Sequence, residues 1–229
     1  MKVTWLTQAG LYFKSDKISV IVDPYLSNSV GEIDPKKDRR IPADESYLDV
    51  EPDVILITHA HLDHLDPKTL SHYLAEGRRC VTVLAPRSAY EQLCKLGGGH
   101  NYVLLEPHSV WSVNGVTFYS VRAAHSDASA AGFIIDDGEK TFYVSGDTVY
   151  NFDVIDDVLD LVESGVDYAF LPINGVGNNM HARDAADFAY EIGAHTAIPV
   201  HYGLFDSIDP SDFDFEDSLI LKPYVEEEL

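Results

Sequence analysis

The chain has few of the residues that mark several common classes of protein. It contains only two cysteines, Cys80 and Cys94, which are too few for a disulfide framework and are not spaced as a thiolate metal site. No apolar stretch approaches the length of a membrane span, and the N-terminal segment lacks the pattern of a signal peptide. We therefore expect a cytoplasmic protein with no membrane partner.

Basic residues are also scarce. The chain carries 16 Lys and Arg against 38 Asp and Glu, a formal net charge of −22. Such a field repels nucleic acid, so we expect no nucleic-acid partner and a small-molecule substrate. The length of 229 residues, of which 45% are hydrophobic, suits one globular domain spanning residues 1–229. The composition leaves the oligomeric state, including a homo-oligomer, open.

Short apolar strands dominate the chain, and helices lie between some of them. The run Val54-Ile55-Leu56-Ile57 is typical of a buried strand. Helices are predicted near Pro67–Ala75, Pro86–Leu96, Val154–Glu163 and Arg183–Ile192. The simplest architecture is an α/β fold in which two β-sheets pack face to face with helices outside.

The most informative segment follows the strand at Val54. It places four metal-capable side chains within six residues: His59, His61, Asp63 and His64. A loop at the carboxyl end of a strand is where α/β proteins place their sites. Imidazole and carboxylate groups suit Zn, Mn or Fe. A buried structural role is less favourable, because each polar group would need its own partner.

Three further candidate ligands stand directly after other apolar strands. His125 follows the strand at Val116–Val121, Asp147 follows Phe142-Tyr143-Val144, and His201 follows Ala197-Ile198-Pro199-Val200. The repetition of one polar residue just past a strand indicates that these side chains meet at one edge of the fold.

With this set of residues the sequence resembles the metallo-β-lactamase superfamily, from Asp23 to His201. The resemblance implies the αββα sandwich with two mixed sheets and a site for two metal ions. It implies that one ion is held by His59, His61 and His125, that the other is held by Asp63, His64 and His201, and that Asp147 bridges them. Asp23 resembles an early buried acid of the superfamily, with a structural role or a role in supporting a ligand.

Shorter motifs narrow the resemblance to the branch of L-ascorbate-6-phosphate lactonase-like hydrolases. They are Asp23-Pro24-Tyr25-Leu26, Leu171-Pro172-Ile173-Asn174-Gly175, Asn178-Asn179-Met180 and His201-Tyr202-Gly203-Leu204-Phe205. This resemblance favours Mn, whereas the ligand types also accept Zn and Fe. A true β-lactamase of this fold is not expected, because Asp147 is present and neither cysteine stands beside a ligand.

Two metal ions about 3.5–4 Å apart can hold a bridging hydroxide that attacks a carbonyl or phosphoryl centre. Asp63 is the candidate for moving a proton, and Asp147 completes the predicted catalytic pair. We expect hydrolysis of a small, phosphorylated lactone or ester. The alternatives are a phosphodiesterase of the same superfamily that acts on a small phosphodiester, and a non-catalytic metal-binding sensor or scaffold.

The substrate contacts are predicted from their position next to the ligand segments. They are Asn174, Asn179, Arg183 and Tyr202. The segment Asn178–Arg183 leads into a helix whose free N–H groups could bind a phosphate. Alternatively, Asn179 or His181 merely caps that helix.

Overall fold

The computed structural model describes residues 1–162 and 164–229. Its strands are β1 (Lys2–Trp5), β2 (Leu11–Lys14), β3 (Ser19–Val22), β4 (Val54–Leu56), β5 (Thr82–Ala85), β6 (Asn101–Leu104), β7 (Val110–Val113), β8 (Val116–Arg122), β9 (Ala131–Asp136), β10 (Thr141–Val144), β11 (Tyr168–Pro172), β12 (Thr196–Val200) and β13 (Glu226–Glu228). Its α-helices are α1 (Ser29–Ile33), α2 (Pro67–Tyr73), α3 (Arg87–Leu96), α4 (Phe152–Leu161) and α5 (Ala182–Glu191). None of the described helices combines the length and apolarity that crossing a lipid bilayer requires.

These elements form two compact units. The first unit consists of Met1–Leu105, Gly203–Ser207 and Leu221–Leu229, and the second of Glu106–Tyr202 and Ile208–Ile220. The assignment of residues 1–229 to a single metallo-hydrolase domain stays a prediction.

The first unit contains a mixed sheet of seven strands in the order β13-β1-β2-β3-β4-β5-β6. Neighbours from β13 to β3 are antiparallel, and those from β3 to β6 are parallel. The core includes Ile55 of β4, Leu70 of α2 and Leu93 of α3, all fully buried. Strands β3 and β4 end side by side, so Asp23 and His59 emerge from the same edge of the sheet.

The second unit contains a mixed sheet of six strands in the order β12-β11-β10-β9-β8-β7. Here β10, β11 and β12 are parallel, whereas β7 to β10 are antiparallel. Helix α4 packs beside β8, and α5 packs beside β11 and β12. The three parallel strands lead to Asp147, Asn174 and His201 at their carboxyl ends.

The prediction of an α/β fold with two mixed sheets and helices is confirmed. Pro67 is the first residue of α2, where its missing N–H costs nothing. The side chain of Asp66 caps this helix by accepting from the N–H groups of Lys68 and Thr69. Helix α4 ends at Leu161, and the Glu163 end of its predicted range lies outside the described residues.

Sequence reasoning missed α1 and β13. Three consecutive glutamates are not a pattern typical of a strand, but the backbone of Glu226–Glu228 pairs antiparallel with β1. Strand β13 lies at the edge of its sheet, where outward charges are tolerated. The pairing is supported by Lys2, whose Nζ donates to Glu226 Oε1 at 2.5 Å.

Tyr143 in β10 gives a test of the core of the second unit. Its side chain is fully buried, and its hydroxyl has no hydrogen-bond partner among the described residues. An unsatisfied buried hydroxyl carries a desolvation cost of about 1–3 kcal/mol. We expect Tyr143→Phe to raise the melting temperature by about 2–4 °C, since about 1 kcal/mol corresponds to that shift in a chain of this size. Differential scanning calorimetry measures it, and a lowered melting temperature would show that the hydroxyl is satisfied.

Candidate metal centre

The histidine-rich run of the first unit is folded into a tight turn between β4 and α2. The N–H groups of His64 and Leu65 both donate to the carbonyl of His61, at 3.0 and 2.8 Å. This turn draws the rings together. The ring centroid of His59 lies 4.6 Å from that of His61 and 4.0 Å from that of His64.

Asp23 fixes the orientation of His64. Both side chains are fully buried. The Asp23 carboxylate accepts from the Thr58 N–H at 2.8 Å, from Thr58 Oγ1 at 2.5 Å and from His64 Nδ1 at 2.7 Å. A carboxylate only accepts, so the ring proton of His64 is on Nδ1 and the Nε2 lone pair is the one that can bind a metal.

Thr58 has the same effect on His59. Its hydroxyl proton is used toward Asp23, so Thr58 Oγ1 accepts from His59 Nδ1, 3.1 Å away. The Nε2 atom of His59 therefore presents a lone pair, and it lies 3.0 Å from Nδ1 of His61. Two ring nitrogens at this separation suit one cation bound about 2.0–2.1 Å from each.

Asp63 is held from a different part of the first unit. Gln8 Nε2 donates to Asp63 Oδ2 at 2.8 Å, and His64 Nε2 lies 3.9 Å from the same oxygen. Thr7 and Gln8 have φ values of 73° and 49°, a region that non-glycine residues seldom occupy. This costly backbone places a buried amide on a predicted ligand.

The second unit brings its three predicted ligands together around one carboxylate. His201 Nε2 lies 3.2 Å from Asp147 Oδ1, and His125 Nε2 lies 3.7 Å from Asp147 Oδ2. The three side chains are almost completely buried, with exposed fractions of 5%, 1% and 7% for His201, His125 and Asp147.

Backbone hydrogen bonds join the loops that carry these ligands. The Ala124 N–H donates to Thr148 Oγ1 at 3.0 Å, and the Val149 N–H donates to the Ala124 carbonyl at 3.0 Å. Residues next to each ligand are thus tied to each other. His201 itself has a φ of 58°, which turns the chain sharply at the end of β12.

A loop from Asn174 to His181 contacts both histidines of the second unit. The Asn178 carbonyl lies 3.2 Å from His125 Nδ1, and the Asn174 side-chain nitrogen lies 2.9 Å from His201 Nδ1. Asn174 was predicted as a substrate contact, and in the structure its amide touches a predicted metal ligand.

The other predicted substrate contacts lie in different surroundings. Asn179 is buried, and its Oδ1 has no hydrogen-bond partner among the described residues. Tyr202 is also buried, and burial together with the charge of Asp209 raises the pKa of its hydroxyl to about 12. Arg183 is exposed on the first turn of α5. The roles of these residues at a substrate stay predictions.

The start of α5 bears on the choice between phosphate binding and capping. His181 occupies the capping position, and its N–H donates to Asp184 Oδ2 at 3.2 Å. A carboxylate already satisfies one of the N–H groups at this helix end. The choice between phosphate binding and capping by Asn179 or His181 stays a prediction, and Arg183 is the cation of this segment.

Sequence reasoning did not find Gln8, Thr58 or the carbonyl of Asn178. Thr58 adjoins the histidine run, so its position was the available signal. Gln8 lies 55 residues from Asp63 in sequence, and a backbone carbonyl carries no residue identity. Neither could be found from spacing.

The side chains present fit a divalent metal. All are imidazoles or carboxylates, and buried acceptors set the ring proton of His59 and His64 so that Nε2 can coordinate. The described His and Asp residues grouped closely enough to hold a metal ion are His59, His61, Asp63, His64, His125, Asp147 and His201. These are the seven predicted ligands, and the division of roles among them stays a prediction.

Comparison with known proteins places this geometry in a family. Residues 19–202 match the family model described as the beta-lactamase superfamily domain. A UPF0173 metal-dependent hydrolase from Exiguobacterium sp. is 30% identical over 227 residues, which cover 96% of this chain and 93% of that protein.

Solved structures share the fold. Igni18, a metallo hydrolase from Ignicoccus hospitalis, aligns with a TM-score of 0.77 at 19% identity, over 100% of this chain and 98% of that one. An isothiocyanate hydrolase from Delia radicum gut bacteria aligns with a TM-score of 0.74 at 18% identity, over 100% and 99% of the two chains. The family match and the curated relative show that the chain belongs to the metallo-β-lactamase superfamily, as one of its metal-dependent hydrolases, and its grouped His and Asp residues agree with that assignment.

Proposed function

We propose that the seven His and Asp ligands hold two divalent ions in a hydrolase of small phosphorylated lactones or esters. In this assignment one ion is bound by His59, His61 and His125, the other by Asp63, His64 and His201, and Asp147 bridges them. The observation that carries the proposal is the buried support of the ligands. Asp23 and Thr58 fix two rings in the protonation state that coordination needs.

When bound, two such ions would supply a water of lowered pKa and Lewis-acid stabilisation of developing negative charge. Mn and Zn suit the ligand types, and Fe is compatible with them. The protein's own proton carrier is Asp63. Its carboxylate is partly exposed and is oriented by Gln8, so it can accept a proton and return it to the leaving oxygen.

Charge supports a small phosphorylated substrate. The net charge of −22 disfavours long polyanions, whereas a single phosphate needs only a local cation. Arg183 borders a surface depression of about 290 Å³ that is also lined by Ile173, His181, Ile208 and the carboxylate-bearing Asp212. No carboxylate forms an ion pair with Arg183 among the described residues, so its guanidinium can pair with a phosphate.

Arg183→Ala tests this substrate class. We expect it to raise KM for L-ascorbate 6-phosphate by about 10-fold and to leave turnover of unphosphorylated L-ascorbate unchanged, because only the former offers charge to pair. Steady-state kinetics of the metal-loaded protein measure both. Arg87→Ala is the matched control, since Arg87 is an exposed arginine on the first turn of α3.

Equal effects on the two compounds would remove Arg183 from the phosphate site. Turnover of bis(4-nitrophenyl) phosphate without turnover of lactones would assign the chain to the phosphodiesterase alternative. Metal binding without turnover of lactones, esters or phosphodiesters would favour the sensor alternative.

A further inference from the structure

We infer that the loop Asn174–His181, defined here as the ligand-support loop, fixes the ring protons of both histidines of the second unit. In this role the Asn178 carbonyl holds the proton of His125 on Nδ1, and the Asn174 amide oxygen holds that of His201 on Nδ1. Both Nε2 atoms are then the metal-binding atoms. The inference rests on the proposed function, because it concerns the same two ligands.

The contact to His125 has one chemical interpretation. Its partner is a backbone carbonyl, 3.2 Å from Nδ1, and a carbonyl only accepts. The ring proton therefore lies on Nδ1, which leaves the Nε2 lone pair directed toward Asp147 Oδ2 at 3.7 Å. The Asn178 residue that supplies the carbonyl has a φ of 68°, so the loop bends sharply at this position.

The contact to His201 depends on the orientation of an amide. The Asn174 nitrogen lies 2.9 Å from His201 Nδ1, and the amide oxygen is buried without a hydrogen-bond partner among the described residues. Oxygen and nitrogen of an amide are interchangeable by a half-turn, and in the orientation with the nitrogen toward His201 the oxygen is left unpaired. The histidine therefore decides the choice.

His201 Nε2 lies 3.2 Å from Asp147 Oδ1. If this nitrogen binds a metal, the ring proton must be on Nδ1, and the group facing Nδ1 must be an acceptor. Asn174 meets that need with its oxygen, whereas its nitrogen would force the proton onto Nε2 and block coordination. Metal binding thus selects the amide orientation.

The loop is built to hold these two contacts in place. The Gly175 N–H donates to the Met180 carbonyl at 2.9 Å, which closes the loop as a hairpin, and the Met180 N–H donates to the Thr148 carbonyl at 3.0 Å. The latter bond ties the loop to the residue after Asp147. Gly175 has a φ of 62° and lies against the His181 ring, so a side chain at this position would be strained and would displace the ring.

The test uses Zn²⁺ alone and compares Asn174→Asp with Asn174→Leu. A carboxylate at position 174 can accept from His201 Nδ1 but cannot donate, whereas leucine can do neither. We expect Asn174→Leu to weaken Zn²⁺ binding by about 10- to 100-fold and Asn174→Asp to bind within a few-fold of the unmodified protein. Competition titration gives the affinities, and histidine 15N NMR of the Zn²⁺-loaded protein should show Nδ1–H in both rings.

Val176→Asp controls for added charge, because Val176 is an exposed residue of the same loop. Val176→Asp could raise the Zn²⁺ affinity of the unmodified protein by the same factor that separates Asn174→Asp from Asn174→Leu. The tighter binding of Asn174→Asp would then come from charge alone, and the inference would be overturned.

Asn178→Gly and Asn178→Val form a second pair of variants. Glycine adopts a positive φ readily, so Asn178→Gly should bind Zn²⁺ as tightly as the unmodified protein. Valine disfavours a positive φ, so Asn178→Val should lower the Zn²⁺ affinity by about 10-fold.

Three results separate the possible failures. If Asn174→Leu binds Zn²⁺ as tightly as the unmodified protein, the support role of Asn174 is wrong while the metal site stands. If Asn174→Asp binds as weakly as Asn174→Leu, the amide donates rather than accepts, and the inference fails. If the unmodified protein itself binds no Zn²⁺, the proposed function fails with it.

Discussion

Replacing Asp147 by Asn is expected to lower the metal content from about two ions per chain to about one. It should also lower kcat by at least about 100-fold, while the fold is retained. The carboxylate lies between His125 and His201, with an oxygen directed toward each ring. Two cations at short range repel each other strongly, and a shared negative charge offsets that repulsion. An amide of the same shape keeps the packing but loses the charge. Elemental analysis and kinetics of the loaded protein measure the two effects.

The matched control for this substitution is Asp156→Asn. Asp156 is exposed on α4, so the change in net charge is the same and the ligand cluster is untouched. Normal metal content and near-normal kcat in Asp147→Asn would show that Asp147 does not bridge two ions.

Asp23→Asn is expected to lower both stability and metal affinity. Asp23 accepts three hydrogen bonds in a fully buried position, and asparagine would turn an N–H group toward donors that need an acceptor. Loss of such contacts costs about 3 kcal/mol, or a fall of about 6–12 °C in melting temperature. The new N–H would also move the His64 proton to Nε2, which should weaken Zn²⁺ binding by about 10- to 100-fold.

Backbone strain is not expected to contribute to the effect of Asp23→Asn. Asp23 has a φ of 41°, and asparagine occupies that region readily. Asp16→Asn, at an exposed turn position, gives the same change in charge without the buried contacts. Calorimetry and Zn²⁺ titration of both variants are the measurements, and equal behaviour of the two would remove Asp23 from the support of His64.

The candidate ligands could be identified from the sequence because chemistry and spacing coincide in them. His59 and His61 follow a buried strand directly, and His125, Asp147 and His201 repeat that position after other strands. Parallel strands of a sheet have their carboxyl ends at the same edge. Polar residues that directly follow such strands are therefore expected to lie close to one another. This pattern identified the candidates, whereas the two mixed sheets were implied by the resemblance to the metallo-β-lactamase superfamily.

The supporting contacts could not be predicted, because they depend on precise backbone geometry. Gln8 reaches Asp63 only because Thr7 and Gln8 adopt positive φ values, which no composition rule signals. The role of the Asn178 carbonyl belongs to the path of the chain rather than to the residue type. Strand β13 was missed for a third reason: three consecutive glutamates indicate solvent exposure, and the pairing with β1 involves only their backbone.

Metal content tests the central claim most directly. We predict about two divalent ions per chain in protein loaded with Mn²⁺ or Zn²⁺ and freed of excess metal, as measured by elemental analysis. The variants His59→Ala and His201→Ala, loaded and freed of excess metal in the same way, should each contain fewer ions per chain. The two residues belong to different predicted ligand groups. A single ion per chain that is unaffected by His201→Ala would contradict the binuclear site, and protein without any bound metal would contradict the account as a whole.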